Sequence, residues 1–488
     1  MSPGKKTLLV LAGIVAILVT GVFSAFVIQV QDEPAPPDDS DLLSVRPQVP
    51  DDQNAWTYYA QAVEKLRLPQ GDDDSKWPAA PPAGEKPPEK APEAEPGDPP
   101  PNAGGRWNAI ADNTAWEQPL VDEVLKRNAE ALALWEKGLA LSECMVPEIN
   151  DPRQDIPWLY PCLGVATLVT VRARNHARQG NDEAAIDDAM RLVRCGHHME
   201  GGRGVAIVYL IGSTIKAMGC ASARELASKG RLTPDRLRRY AADLAAYEED
   251  RRALAETLRA EYGYGLSVSK KIVSGEINFD MLTGYGWHKS PTRYLERLFL
   301  KPNRTRRLIA ECYREMIAAA PKRFADAPDF DRFRKMASEE QQWAGGNYAG
   351  GTLIAMTVMG VSGMQELKCR SSVEVAATRV LLAMKAFKIE NARLPATLDE
   401  LVPHYLDAVP LDDYDGKPLC YNPAKKIIYS VGKDLRDDGG TTKQEFIDAK
   451  MKEKGIDPKT ADPEKVKSLE EECDDIWQMP DPSFPIEF

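Results

Sequence analysis

Histidine is scarce. Five occur in 488 residues, and only His197 and His198 are neighbours, which leaves little for imidazole-based catalysis or metal binding. The eight cysteines include no C-x-x-C, so the simplest zinc and thioredoxin-like readings are excluded. Basic charge is in deficit: the formal net charge of −12 argues against a nucleic-acid partner, because phosphate binding needs an excess of Lys and Arg. "GVSGM" (360–364) has Met where the last glycine of a nucleophile elbow belongs. "GGRGVAI" (201–207) lacks the glycine pattern and the preceding strand of a nucleotide loop. No 34-residue signature recurs, so a tetratricopeptide likeness is architectural only.

What is present begins with "TLLVLAGIVAILVTGVFSAFVIQV", Thr7 to Val30, without a single charge. As a helix it would be about 36 Å long, enough to cross a hydrocarbon core of about 30 Å. Lys5 and Lys6 precede it and Asp32, Glu33, Asp38, Asp39 and Asp41 follow. The positive-inside rule then leaves the N-terminus in the cytoplasm and exports the rest. The run is longer than a signal-peptide core and lacks a clean cleavage site, so an uncleaved anchor is expected. The expected location is a bacterial cytoplasmic membrane, single-pass, with the bulk of the chain in the periplasm or its equivalent.

Residues 31–105 read as a Pro/Asp-rich tether with a short amphipathic helix at 51–68. From Pro69 to Gly105, 11 prolines stand among charged and small residues, a composition that buries too little apolar area to order itself. Residues 106–365 read as a helical-hairpin domain. "WEQPLVDEVLKRNAEALALWEKGLAL" (116–141) carries one apolar stripe. Gly180, Gly201-Gly202 and Gly230 punctuate the next helices, and Thr233-Pro234 opens another. A glycine- and aromatic-rich loop is expected from Tyr262 to His288, and "TLIAMTVMGVSGM" (352–364), too short to span a bilayer, reads as buried. The mixed charges of 237–262 read as ion pairs on a helix face.

On the exported side disulfides can form. Cys144 and Cys162 bracket a proline-rich loop and are the first candidate pair, with free buried thiols as the other reading. Cys195 and His198 in "RCGHHME" share one helical face at a spacing a metal could use, although ordinary packing explains them as well.

The last third, 366–488, changes character. "SSVEVAATRVLLAMKAFKIEN" (371–391) has one buried face. It leads into "LPATLDEL", an Asp415-Gly416 turn, the strand-like "KPLCY" and "KIIYSV", the loop "YSVGKDLRDDGG" and, after a charged insert at 441–472, "DIWQMP" as a third strand. This order resembles the C-terminal half of the major pseudopilin of type II secretion systems, over about 366–440 and 473–480. The remainder looks like large helical, membrane-anchored bacterial envelope proteins. Lys5-Lys6 after Gly4 and an anchor without glutamate depart from a prepilin leader, so the module reads as borrowed by a chain that is no pilus subunit.

The resemblance implies a calcium loop. Asp434 stands at the family's G-x-D aspartate, Asp474 and Asp475 match its D-D-I pair, and Asp437 and Asp438 complete a candidate set around one Ca²⁺, which wants six to eight hard oxygens. A solvated acidic turn is the competing reading. An EF-hand alignment puts Asp434, Asp438, Gly439 and Glu445 at positions 1, 5, 6 and 12, but Arg436 brings a cation to position 3. The expected fold is mainly α: a transmembrane helix, a helical-hairpin body and a small α+β module. The expected function is an anchored extracytoplasmic scaffold that binds envelope proteins. A secretion component, or an enzyme whose site forms within the helical body, are the alternatives. Apart from calcium no cofactor is expected.

Overall fold

The computed structural model describes residues 31–69, 76–78, 102–248, 252–277, 300–342, 347–456, 463–473 and 475–488. The apolar run at 7–30 and most of the proline-rich stretch lie outside the described residues. The chain is mainly helical, with one three-stranded antiparallel sheet near its C-terminus.

Residues 51–68 form helix α1 over Ala55–Lys65, capped by Asn54, whose side chain accepts from the Trp56 amide at 3.1 Å. Helix α2 follows at Ala103–Ala111. The stripe at 116–141 is two helices, α3 (Gln118–Arg127) and α4 (Ala129–Leu139), parted at Asn128. Asn128 is fully buried and holds both the amide and the carbonyl of Arg67 at 2.7 Å. That clasp is invisible to periodicity. It also ties down the end of the segment that leads to the proline-rich stretch.

Helices α5 (Pro161–Arg178) and α6 (Asp182–Glu200) form the expected hairpin, turning at Gly180 with φ +77° and restarting at Asn181, which caps α6. Helix α7 (Ala206–Lys229) runs back along α6 at very short range. A Cβ on Gly196 would stand 2.5 Å from the Gly212 carbonyl oxygen and from the Lys216 amide nitrogen, so glycine is required there. By length and hydropathy α7 alone among the described helices could cross a membrane. It is instead a largely buried helix of the body, and it carries Lys216, paired with Glu200 at 2.5 Å inside the protein. The Glu200 carboxylate also accepts from Ser213 (2.7 Å) and Ser371 (2.8 Å), which satisfies a charge that would otherwise be costly to bury.

Helices α8 (Pro234–Leu244) and α9 (Ala253–Ser274) follow. Tyr262, expected in a loop, lies inside α9 and is almost fully buried. Helices α10 (Pro302–Ala319), α11 (Asp331–Glu340) and α12 (Tyr348–Met359) build a further layer. Helix α13 (Met364–Asn391) is the longest, and the expected single apolar face understates its burial. Several of its polar residues are also enclosed and partnered: Glu374 with Arg224 at 2.7 Å, Arg379 with the Ala241 carbonyl at 3.1 Å, Lys368 with Asp413 at 3.0 Å. Its apolar positions join α6, α7, α8 and the C-terminal sheet in one core.

That sheet is ordered β1-β2-β3, with β1 Cys420–Asn422, β2 Ile427–Tyr429 and β3 Ser483–Pro485. The third strand is not "DIWQMP". Ile476–Gln478 is a single 3₁₀ turn capped by Asp475, and Ile428 pairs instead with Phe484, a fully buried ring. The charged insert folds into α14 (Lys443–Glu453) and α15 (Pro463–Glu472) around a small core of Phe446, Ile447, Met451, Leu469, Cys473 and Met479.

The segment read as a tether is docked where described. Asp32 accepts from the amides of Asn303 and Arg304, at 2.8 and 3.1 Å, and so caps α10. Glu33 pairs with Arg307 at 2.8 Å, Asp39 with Arg306 at 2.6 Å and Asp41 with Arg314 at 2.8 Å. Leu42 is buried beside Tyr262 and Tyr313. The acids that set the charge flank of the apolar run therefore form a strap along an arginine-rich helix.

Candidate functional site

The acidic loop leaves β2 at Ser430, which is fully buried. The Val431 amide donates to Asp412 at 2.9 Å, and at Gly432, with φ +62°, an added Cβ would stand 2.9 Å from the Pro480 carbonyl oxygen. Leu435 also takes a positive φ of 59°, unusual for a branched side chain, and its side chain is partly exposed.

The candidate calcium ligands have separate engagements. Asp434 is exposed and accepts from the Arg436 amide at 3.1 Å. Asp437 accepts from the Tyr429 hydroxyl (3.0 Å) and from the Gly439 amide (2.9 Å). Asp438 pairs with Arg436 at 3.1 Å, and Asp475 caps its 3₁₀ turn; Asp474 lies outside the described residues. Glu445, the twelfth position of an EF-hand alignment, closes a capping box with Thr442 at the start of α14. Among the described residues no three His, Cys, Asp or Glu side chains are grouped as metal ligands.

A residue that sequence reasoning missed holds the loop together. Asp481 is fully buried, and its Oδ2 accepts from the amides of Asp438 (3.0 Å) and Gly440 (2.8 Å). Its Oδ1 is buried without a hydrogen-bond partner. Burial raises the Asp481 carboxyl above its ordinary range; the two amides oppose this, and Asp437 and Asp438 add to it. Placed between two prolines, it carried no spacing signal.

Below the loop lies an open cleft of about 690 Å³ between the helical body and the C-terminal module. Lys433 and Leu435 reach it from the loop, Phe330, Phe333 and Arg334 from the start of α11, and Glu366 from α13. Phe330 and Phe333 stack with centroids 5.5 Å apart. The wall is lashed across the junction: the Phe324 amide donates to the Asp413 carbonyl at 3.1 Å and the Ala325 amide to the Tyr414 carbonyl at 2.9 Å. An aromatic floor with both signs of charge at the rim can take apolar and charged side chains of one polypeptide together.

The other sequence candidates are part of the packing. Cys144 and Cys162 are buried free thiols and no bridge joins them. The Cys162 thiol donates to the Trp158 carbonyl at 3.2 Å, which turns it to its own helix start. Cys195 accepts from the Trp135 indole at 3.3 Å, and His198 Nδ1 meets the Tyr59 hydroxyl at 2.8 Å. Burial, with Arg194 and His197 nearby, lowers the His198 pKa to about 4. Within 237–262, Arg239 meets Asp243 at 3.7 Å and Arg259 meets Glu256 at 3.8 Å along a helix face, whereas Arg238 reaches across to Glu390 on α13 at 2.7 Å.

No protein-family model, curated protein or solved structure matches the chain.

Proposed function

We propose that the chain is a single-pass, membrane-anchored extracytoplasmic scaffold of a bacterial envelope, which grips a segment of a partner protein in the cleft at its domain junction. The observation that carries this reading is the composite wall: Phe330, Phe333 and Arg334 come from the helical body, Lys433 and Leu435 from the C-terminal loop. In this reading residues 7–30 are the signal-anchor in the cytoplasmic membrane. The body is a stack of helical hairpins in the manner of tetratricopeptide arrays. The part after α12 is a pseudopilin-like module that supplies the loop, and the partner is a component of, or a neighbour to, type II secretion machinery.

The test is a photo-crosslinking amino acid placed at Leu435, and separately at Phe330, in the full chain within its native membrane. Both positions should give the same protein adduct, and the charge reversals Lys433→Glu and Arg334→Glu should abolish it. Adducts that differ between the two positions, or that survive both reversals, would refute the reading.

A second reading concerns the loop itself, which is similar in sequence to a calcium loop. The free Oδ1 of buried Asp481, with Asp437 and Asp438 nearby, supports a cation there. In this version Asp481 supplies an oxygen that the sequence set of Asp434, Asp437, Asp438, Asp474 and Asp475 did not include. A bound Ca²⁺ would neutralise the clustered carboxylates and stiffen the wall that carries Lys433 and Leu435.

A further inference from the structure

Asp32 stands two residues beyond Val30, the last residue of the apolar run. Two residues of extended chain reach at most about 7 Å. Asp32 is in turn hydrogen-bonded to the first amides of α10, at 2.8 and 3.1 Å. Adding the reach of the Asp32 side chain, the first turn of α10 is within about 14 Å of the end of that run. The polar layer on each face of a bilayer is about 5–7 Å deep. If the run spans the membrane, the first turn of α10 lies in that layer or at most about 7 Å beyond it, even with the link fully extended.

The structure fixes which end of the body this is. Helices α10 and α12 start side by side: Asn347, just before α12, accepts from the Lys301 amide at 2.8 Å and donates to Glu340 at 2.7 Å. Further along, the Tyr313 hydroxyl donates to the Thr357 carbonyl at 3.0 Å, so the two helices run in the same direction. The last turn of α9 ends there too, with Ile272 and Ile277 packed on Leu300, Ala349 and Leu353. This tip presents Val273, 47% exposed, and Tyr348, 36% exposed. Tyrosine suits such a position, since an apolar ring with a polar tip sits well at headgroup depth.

We infer that the tip formed by the first turns of α10 and α12 and the last turn of α9 rests in the headgroup layer of the bilayer, held there by the strap. The inference rests on the proposed membrane anchor and adds the orientation of the body above it. The strap is a brace: Asp32 caps α10, and Glu33–Arg307, Asp39–Arg306 and Asp41–Arg314 repeat the attachment along the same helix. Four attachments bind the strap to the body, so the link left between the apolar run and the body is about two residues long, far shorter than a flexible tether.

The test uses the full chain in phospholipid vesicles, in a Cys420→Ser background because the other seven cysteines are buried. Nitroxide labels are placed at Val273→Cys, Tyr348→Cys and Lys433→Cys. Relative to Lys433→Cys, the first two should lose collisions with a water-soluble nickel complex and gain collisions with oxygen. Adding Asp32→Ala with Glu33→Ala, which removes the α10 cap and the Arg307 pair, should return the Tyr348→Cys label to the Lys433→Cys level. Flotation with vesicles after alkaline washing reports the anchor separately. A chain that fails to float overturns the anchor and the orientation together. One that floats with all three labels equally exposed to nickel, or whose tip label ignores the strap substitutions, overturns the orientation alone.

Discussion

Asp39 and Arg306 form a two-pronged ion pair, both contacts at 2.6 Å, with the Tyr262 hydroxyl donating to the same carboxylate. Burial by itself would raise the Asp39 carboxyl, but Arg306 and Tyr262 outweigh it and hold it below the usual range. Replacing Asp39 with Ala leaves Arg306 and Tyr262 without their acceptor. The expected loss is about 2–4 kcal/mol, in keeping with a largely buried pair broken on one side. A fall in the thermal midpoint of the detergent-solubilised full chain, with faster cleavage by protease within residues 31–50, would be the readout. An unchanged midpoint and digestion pattern would mean that the strap does not hold the body.

The meeting of α6 and α7 leaves no space at Gly196. Gly196→Ala should push the helices apart and cost about 1–3 kcal/mol, although alanine is the better helix former. Gly263→Ala, in α9 with nothing within 4 Å of the added Cβ, is the matched control and should be neutral or slightly stabilising. Equal midpoints for the two variants would contradict the close approach.

His198 gives the body a pH dependence. Its pKa falls from 6.5 to about 4 on folding, so the unfolded chain takes up a proton first as the pH drops. The stability from keeping this ring neutral is complete above pH 6.5, declines through the window from 6.5 to 4, and amounts to about 3 kcal/mol. His198→Gln should flatten that part of the curve of denaturation midpoint against pH. Retention of the full slope in the variant would assign it to other groups.

Asp481 separates the two readings of the acidic loop. A raised carboxyl pKa means that the folded chain protonates before the unfolded one, so the charge at Asp481 costs stability at neutral pH. Without a metal, Asp481→Asn should raise the thermal midpoint. Calcium should stabilise the wild-type chain and leave Asp481→Asn unmoved. Calorimetry in which wild type and variant take up calcium alike would remove Asp481 from the site.

The helical hairpin of α5 and α6 was legible because Gly180, Asn181 and the Gly201-Gly202 pair are local signals that act within a turn of where they stand. The β1–β2 hairpin was legible for a similar reason, since Ile427–Tyr429 is apolar and bounded by turn residues. What escaped depends on partners far away in sequence. Asp39 reads as a solvated acid until Arg306 is seen beside it, and Asn128 as one more helix residue until it clasps Arg67. "DIWQMP" has the composition of a strand, but the Asp475 side chain accepts the Trp477 amide and winds it into a turn, leaving the sheet to Ser483–Pro485. Asp481 and the aromatic floor of the cleft are tertiary in the same sense. Their neighbours come from separate elements, and no periodicity or motif announces them.

Helix α10 joins the strap to the wall of the cleft. It begins at the Asp32 cap and ends at Ala319, just ahead of Phe324. Eighteen residues of helix make a rod of about 27 Å. In the proposed orientation this rod would set the height of the cleft above the lipid, and a pull from a protein bound there would travel down it into the arginine–carboxylate rungs. Lengthening or shortening α10 by whole turns would move the cleft relative to the strap in steps of about 5.4 Å without altering the cleft's lining.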